Sequence, residues 1–208
     1  SSRARAIREE WTAELRRLIA PFRIDFGILA GFVPLTNLTG DFPCLNVHPG
    51  DLTVTGPDGS RLLAGLHLLP VERAITMGCP ALRSSVILAQ SYTGSGAREM
   101  DSGPLLGISG PVPVRLEGHD ASELAAIRDR RGGKRPAAPD LLETIARNNI
   151  ENLKINGDHV VFPQVIDAFA AGRYGRRGET LCFRGDDGRF IPVVTVEYHR
   201  GGATPIPI

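Results

Sequence analysis

Apolar residues recur at helical spacing near the start of the chain and then form continuous runs. The segment "RARAIREEWTAELRRLIAPF" carries apolar side chains three or four positions apart among charges: Ile7, Trp11, Leu15, Leu18 and Ile19. This spacing predicts an amphipathic helix, which ends at the proline of the closing "APF". The run "IDFGILAGFV" follows and is almost entirely apolar, which is typical of a strand covered on both faces.

Further apolar runs alternate with one more helical segment. "PCLNVH", "SSVILAQSY" and "GPLLGISGPVPV" predict three strands. "LPVERAITMG" predicts a helix, with Pro70 in its first turn and Gly78 just after its end. The alternation predicts an α/β fold, namely a Rossmann-like, mixed and mainly parallel sheet with helices on both faces.

The remaining chain divides into a polar segment and an apolar C-terminal part. Segment 118–157 holds "GGKRP" between two helical stretches, and we interpret it as a variable polar insertion with a mobile loop at that break. "FPQVIDAFAAGRY" then predicts a helix, "TLCFRGDDGRFIPVVTVEY" predicts a β-hairpin, and the tail "GGATPIPI" is expected to be loose. We therefore expect a single domain over 1–208, with a core at 1–117, the insertion at 118–157, and a C-terminal helix and hairpin at 158–208.

Composition and charge exclude several classes of protein. The chain has 24 basic and 23 acidic residues and a net charge of +1, which gives no electrostatic footprint for nucleic acid or an anionic membrane. Cys44, Cys79 and Cys182 lie far apart in or near apolar segments, as expected of buried free thiols in a reducing compartment. Since no apolar run approaches the length of a membrane span, we expect a cytoplasmic protein.

Polar residues stand at the ends of two of the predicted strands. Asn46 and His48 are two positions apart, so they share one side of a strand, which Pro49 and Gly50 then end. Asp101 follows the run that holds residues 84–92 and precedes a Gly-Pro turn. Because ligands of open α/β sheets bind outside the carboxyl ends of parallel strands, we expect these side chains to converge.

These residues suit acyl transfer to an external nucleophile. The Asn46 amide could donate to a carbonyl oxygen as it becomes an oxyanion. His48 can donate or accept a proton near neutral pH, and Asp101 could orient the ring and receive a proton. No Ser, Cys or Lys nucleophile stands beside them in the sequence, which argues against a covalent acyl-enzyme. The structural alternative is an ordinary strand end with an Asx-type turn, and no histidine spacing supports a metal site.

The same residues resemble a known family. "NVHP" followed by "DSGPLL" resembles the Asn-x-His…Asp pattern of the folate-dependent formyltransferases. "IDFGILAGFV" resembles the strand before that motif, and "GLHLLPVERAITMG" resembles the segment after it. "GDHVVFPQVIDAFAAGRY" and its hairpin most resemble the C-terminal part of glycinamide ribonucleotide formyltransferase. The resemblance covers roughly residues 10–117 and 157–192 and implies the formyltransferase fold without its first strand–helix units.

The resemblance implies a role for each candidate residue. Asn46 would polarise the formyl carbonyl of 10-formyltetrahydrofolate, and His48 would stabilise the tetrahedral oxyanion. Asp101 would hold His48 and accept, through water, the proton that the attacking amine loses. The implied pterin-binding residues are Ala30, Gly31, Phe32 and Val33, and the backbone of Glu99, Met100 and Gly103. On the side of the amine substrate the implied residues are Asp158 and His67.

Three departures from the family pattern bear on the amine acceptor more than on the chemistry. "GDLT" replaces the usual Ser-Leu-Leu-Pro after the motif, and the interval from His48 to Asp101 is longer, with "TVTGPDGSRLLA" as a possible alternative approach to the substrate. The chain also begins at the helix that would follow the first strand–helix units. We therefore expect an exposed apolar surface along residues 5–20 and 24–33, covered by a second copy, a partner chain or an absent N-terminal segment.

The expected activity is formyl transfer from 10-formyltetrahydrofolate to a primary amine of a small metabolite. Glycinamide ribonucleotide, in purine biosynthesis, is the leading acceptor, and no metal is required. The alternatives that the sequence leaves open are hydrolysis of the formyl folate, N-formylation of an amino sugar, and folate binding by a non-catalytic subunit.

Overall fold

Helices and strands alternate along the chain in the computed structural model, which describes residues 2–31, 36–91, 101–133 and 136–208. The helices in these ranges are α1 (Ser2–Ile19), α2 (Leu69–Thr76), α3 (Ala121–Arg131), α4 (Leu141–Leu153) and α5 (His159–Ala170). The strands are β1 (Gly27–Leu29), β2 (Cys44–His48), β3 (Ala81–Leu82), β4 (Ser85–Leu88), β5 (Leu105–Ser109), β6 (Val112–Pro113), β7 (Tyr174–Arg177), β8 (Thr180–Arg184), β9 (Phe190–His199) and β10 (Gly202–Pro207).

A mixed sheet forms the centre of the fold. Its strand order is β1-β2-β4-β5-β9-β8-β7, and β10 pairs with β9. The pairs β1–β2 and β5–β9 are parallel. The other pairs in this sheet are antiparallel, including β2–β4 and β4–β5 on either side of β4. The predicted α/β fold with a mixed sheet is therefore confirmed, although parallel pairing is limited to these two junctions and the sheet is not mainly parallel.

Helix α5 packs against one face of the sheet. Val161 and Val165 are fully buried against Leu45, Val86 and Phe183 from the strands. A fully buried aliphatic side chain of this size contributes about 1.5–3 kcal/mol to stability. The helix therefore fixes the centre of the sheet, on which the site residues are carried.

The other face of the sheet is packed differently. Ile87, Leu105 and Ile108 form a cluster there with Leu52, from the long loop after β2, and Ile206 of β10 packs against this cluster. A helix covers the first face, whereas a loop and the last strand contribute to the cover of the second. The side chains of Asn46 and His48 alternate with Leu45 and Val47 and so point to this second face.

The polar segment 118–157 folds into helices. α3 and α4 pack with α2 in a second core cluster, in which Leu124, Leu142, Ile145 and Leu153 are fully buried. The Asp140 side chain accepts a hydrogen bond from the Glu143 amide and caps α4. The two helical stretches expected in this segment are confirmed as α3 and α4, whose few apolar residues lie at helical spacing and bury one face of each helix. The loop expected at "GGKRP" lies partly outside the described residues.

α4 and α5 are joined by a wide helical turn. Residues Lys154–Asp158 form one π-helical turn that runs into α5 without a break. An added Cβ on Gly157 would lie 2.4 Å from Ser84 Oγ, so only glycine allows the turn to approach β4 this closely. π-turns of this kind occur frequently at functional sites.

The N-terminal helix and strand carry an apolar surface. β1 has three residues and lies at the edge of the sheet, so the predicted strand with two covered faces is wrong. Ile28 is 46% exposed, and Trp11, Leu18 and Phe22 are 42%, 55% and 70% exposed. Apolar side chains of this region are thus exposed as expected, whereas what covers them stays a prediction.

The C-terminal part follows the predicted hairpin and goes beyond it. β8 and β9 pair antiparallel around the Asp-Gly turn, which confirms the hairpin. The tail is not loose, since β10 pairs with β9 over Gly202–Pro207. The sequence "ATPIPI" does not indicate a strand, because its prolines are tolerated only on an edge strand such as this one.

The three cysteines are free thiols: Cys44 and Cys182 are buried and Cys79 is half-buried. Among the described residues, no helix combines the length and the apolar character needed to cross a membrane.

Candidate functional site

A cavity of about 450 Å³ lies over the end of β2. Asn46, His48 and Asp101 all line it, and Asp158 lines it from the end of the π-turn. Its volume is within the range of small-molecule sites, which combine apolar walls with a few convergent polar groups. The structure therefore brings the three predicted catalytic residues and both predicted substrate residues, Asp158 and His67, into one cavity.

His48 is almost completely buried, with 3% of its surface exposed. Its Nε2–H donates to the carbonyl oxygen of Leu63 at 2.7 Å, and its Nδ1 lies 3.3 Å from Asp101 Oδ2. A carbonyl oxygen can only accept, and an ionised carboxylate can only accept. The carbonyl on one side of the ring and the carboxylate on the other fix its orientation.

Asp101 is held in an unusual backbone conformation by several contacts. Its φ angle is 58°, in the left-handed region that non-glycine residues seldom adopt. Its Oδ2 accepts from the Gly65 amide at 3.1 Å, and its carbonyl oxygen accepts from Arg61 Nη1. Burial lowers the pKa of the Arg61 guanidinium, and the charge of Asp101 opposes that effect. These contacts fix the carboxylate against His48.

The convergence of Asp101 and His48 has a different origin from the one predicted. β4 runs antiparallel to β2 and places Ser85 opposite His48, so the chain leaves β4 at the far end of β2 from His48. The turn before β5 brings Asp101 back to His48. The prediction from the carboxyl ends of parallel strands reached the right residues for the wrong topological reason.

The Asn46 amide is available to a ligand. It lies on β2 opposite Leu29 of β1 and Ile87 of β4, which also line the cavity. Within the described residues its side chain forms no hydrogen bond. An amide held between two strands, with unused donors facing a cavity, is suited to bind a carbonyl oxygen.

Gly50 explains why the motif continues as "GDLT". An added Cβ at Gly50 would lie 2.6 Å from the Leu63 oxygen and 2.8 Å from His48 Nε2. Ser85 Oγ donates to the Gly50 carbonyl at 2.7 Å and accepts from the Leu52 amide at 3.0 Å. The position has no room for a side chain, because the Leu63 carbonyl must reach His48 there.

The segment "TVTGPDGSRLLA" holds the catalytic candidates in place. It supplies the Leu63 carbonyl to His48 and the Arg61 guanidinium to Asp101, and Arg73 donates to the Leu62 and Ala64 carbonyls at 3.3 and 2.7 Å. Sequence reasoning noted this extra length but missed its contacts. A lone arginine in a Gly- and Asp-rich stretch gives no signal that it reaches a residue 40 positions later.

Asp158 is a mostly buried carboxylate with a neutral partner. Its Oδ1 accepts from Ser84 Oγ at 2.5 Å. Burial is the main cause that raises the pKa of this carboxyl, while the Ser84 hydrogen bond and the charges of His159, Lys154 and His48 oppose it. Ser84 was not predicted, since a serine at a strand start has no distinctive pattern.

The remaining candidates are divided among different places. Gly31 and His67 line the cavity, whereas Ala30 and Gly103 are not among its lining residues. An added Cβ on Gly103 would lie 1.8 Å from the Leu88 oxygen, so close packing alone requires this glycine. The other predicted pterin-binding residues lie outside the described part of the chain: Phe32, Val33, Glu99 and Met100.

No group of three or more His, Cys, Asp or Glu residues in the described ranges is placed to hold a metal ion. The polar side chains that line the cavity include those of Asn46, His48, Asp101, Asp158 and Lys154.

No family model matches this chain, and no curated protein matches it. Solved structures give weak matches. Phosphoribosylglycinamide formyltransferase from Bacillus halodurans has a TM-score of 0.40 at 19% identity, over 71% of this chain and 66% of that one. One variant of HypX from Aquifex aeolicus has a TM-score of 0.34 at 18% identity, over 63% of this chain and 22% of HypX.

A second HypX variant has a TM-score of 0.33 at 13% identity, over 93% of this chain and 38% of HypX. The chain thus spans less than two thirds of each of these proteins. Similarity at this level assigns neither a family nor an activity, and the functional argument depends on the site itself.

Proposed function

We propose that this chain transfers a formyl group from 10-formyltetrahydrofolate to a primary amine of a small metabolite. One observation carries the proposal: the free amide of Asn46 and the His48–Asp101 pair line the same cavity. Glycinamide ribonucleotide is the leading acceptor, because the motif residues and the C-terminal helix and hairpin resemble that enzyme.

Asn46 is the group that contacts the formyl oxygen. Its amide N–H donates to that oxygen, and the bond strengthens as negative charge develops in the tetrahedral intermediate. A donor of this type contributes about 10²–10³ in turnover in other acyl-transfer sites.

His48 acts through its charge. Both ring nitrogens are engaged, with Leu63 and Asp101, so the ring stabilises the oxyanion electrostatically rather than as a free donor. A charge on the ring is screened less in a partly enclosed cavity than in bulk water, which makes it effective at a distance. Asp101 keeps the ring in position.

The residues of the cavity suit a flat, partly polar co-substrate. The apolar part of the cavity wall is formed by Leu29, Gly31 and Ile87. Polar side chains at the same cavity come from Gln90 and Ser102. The formyl folate supplies the acyl group and its leaving nitrogen. The protein binds and orients it and stabilises the charge.

The direct test is an assay of formyl transfer. The purified chain is mixed with 10-formyltetrahydrofolate, with and without glycinamide ribonucleotide, and release of tetrahydrofolate is followed by absorbance. We expect release that depends on the amine, and formylated amine in equal amount by mass spectrometry.

Other outcomes contradict the proposal in distinct ways. Release without amine would establish hydrolysis, with water as acceptor. Folate binding without release would establish a non-catalytic binding protein. Release only with a nucleotide-linked amino sugar would keep the formyl transfer and replace the acceptor.

A further inference from the structure

The cavity contains two carboxylates, and their surroundings differ. Asp101 Oδ2 faces His48 Nδ1 and also accepts from the Gly65 amide, and its side chain is 7% exposed. Asp158 has one neutral donor, Ser84 Oγ, on Oδ1. Among the described residues, Asp158 Oδ2 has no hydrogen-bond partner.

The attacking amine needs a base. When its nitrogen forms a bond to the formyl carbon, it becomes positively charged and must lose a proton before the intermediate can go forward. A proton placed on Asp101 Oδ2 would disturb the contacts of that oxygen with His48 Nδ1 and the Gly65 amide. Asp158 can take the proton without breaking an ion pair.

We propose, on the basis of the proposed function, that the Asp158 carboxylate is the base that accepts the proton of the attacking amine. Asp101 is then a positioning residue for His48. This assigns Asp158 to the reacting atoms instead of to a distant part of the substrate.

The step balances without another reactant. The amine lone pair forms the N–C bond, and the carbonyl electrons move to the oxygen, which Asn46 and His48 stabilise. Asp158 Oδ2 takes the proton from the amine nitrogen. When the carbonyl re-forms and the bond from carbon to N10 of the folate breaks, Asp158 returns that proton to N10. The products are the formamide and tetrahydrofolate, and the enzyme is unchanged.

Two features suit Asp158 to both halves of this exchange. A general base and acid works best when its pKa lies near the operating pH, and burial raises the pKa of the Asp158 carboxyl in that direction. Ser84 holds Oδ1 and the π-turn holds the backbone, so the carboxylate is positioned before a substrate arrives. The titratable groups that face it are Lys154 on its own turn, His159 at the start of α5, and His48 from β2.

Ser84 provides the decisive variant. Its hydrogen bond lowers the pKa of Asp158 against the effect of burial, so Ser84→Ala removes that opposition and the pKa rises further. The acid limb of kcat against pH should move to higher pH in Ser84→Ala. It should disappear in Asp158→Asn, in which kcat should fall by a factor on the order of 10². The same amine is used in every assay, so its own ionisation contributes equally to each profile of kcat against pH. A difference between the acid limbs of two variants therefore arises from the protein.

Controls separate this role from a structural one. Asp167→Asn changes an exposed carboxylate on the same helix and should leave the profile unchanged. Asp101→Asn should lower kcat while keeping the Asp158 limb. Carbon NMR of the Asp158 carboxyl, in the wild type and in Ser84→Ala, gives its titration without reference to activity.

The outcomes distinguish this inference from the proposed function. If the wild type transfers formyl but Ser84→Ala leaves the limb in place while NMR shows a raised Asp158 pKa, the inference is overturned and the function stands. Full turnover in Asp158→Asn overturns it as well. If the wild type releases no folate, either with an amine or with water alone as the acceptor, the proposed function is overturned. The proposed proton transfer is then overturned with it.

Discussion

Asp101 and Asp158 border the same cavity but are held in opposite ways. Asp101 is tied to a protonatable ring and a backbone amide, on a turn whose φ angle is positive. Asp158 is tied to a single hydroxyl, at the end of a regular though widened helix. The charge of the Asp101 carboxylate is thus stabilised by two neighbouring groups, whereas the Asp158 carboxylate has a single neutral donor.

This difference shows how one cavity can separate orientation from proton transfer. A carboxylate that already balances a charge gains little from accepting a proton, whereas a buried one with a neutral partner gains more. The following predictions test that contrast, from the largest expected effect to the smallest.

The largest effect is expected when the His48–Asp101 pair is broken. His48→Ala and Asp101→Ala should each lower turnover by a factor on the order of 10² or more, as losses of acid–base and oxyanion groups usually do. Affinity for the folate, measured by fluorescence or calorimetry, should fall far less. A collapse of folate binding with normal turnover per bound complex would contradict the assigned roles.

A smaller loss is expected from crowding the pair without removing it. Gly50→Ala places a Cβ against the Leu63 carbonyl and His48 Nε2 and should displace the ring. Turnover should fall about tenfold and the free energy of unfolding by about 1–3 kcal/mol, as overpacking commonly costs. Gly201→Ala is the matched control, because an added Cβ there meets nothing within 4 Å. Equal behaviour of the two variants would show that His48 does not depend on this approach.

The two carboxylates should differ in the sign of their effect on stability. Asp101→Asn removes a charge-assisted acceptor and should lower the free energy of unfolding by about 1–3 kcal/mol. Asp158→Asn should raise it at neutral pH, because the raised pKa of Asp158 means that its charged form is disfavoured in the fold.

The pH dependence of the free energy of unfolding tests the sign of the Asp158→Asn effect independently. A carboxyl with a raised pKa in the fold costs stability above that pKa, and the cost disappears as the pH falls below the pKa of the unfolded chain. The advantage of Asp158→Asn over the wild type should therefore shrink on acidification. Urea unfolding at neutral and acid pH measures it, and a destabilised Asp158→Asn would remove the contrast between the carboxylates.

The smallest effect is expected at Arg61. Arg61→Gln removes the donor to the Asp101 carbonyl and loosens the positive-φ turn without touching either side chain of the ion pair. We expect a loss of about 1 kcal/mol in stability and a few-fold decrease in turnover, both measured at neutral pH. A decrease as large as that of Asp101→Ala would mean that Arg61 itself acts on the substrate.

The sequence predicts the strands that carry this site better than the contacts that complete it. Asn46 and His48 share a face because side chains alternate along β2, and that rule is local. The antiparallel direction of β4 depends on pairings along the whole sheet, so the run "SSVILAQSY" alone cannot indicate it. Leu63, Arg61 and Ser84 act through a carbonyl, a distant backbone oxygen and a hydroxyl, which are properties of the folded arrangement.

The errors have a common physical cause as well. The run "IDFGILAGFV" is judged covered on both faces from its apolar residues, yet Ile28 on the edge strand β1 is 46% exposed. The tail is judged loose from its glycines and prolines, yet β9 offers an edge on which Pro205 and Pro207 fit. In both cases tertiary partners decide, and composition does not reveal them.

The π-turn between α4 and α5 has a consequence for the tolerance of the chain to insertion and deletion. α4 is fixed in the helical cluster and α5 in the sheet core, so the phase between the two helices depends on the number of residues between them. One residue corresponds to about 100° around a helix axis. With the winding of the turn unchanged, deleting the exposed Ile155 would rotate Asp158 away from Ser84 by about that angle. The direction of this carboxylate is thus set by counting residues along a helix, and a change of length of one would redirect it while every side chain of both cores stayed the same.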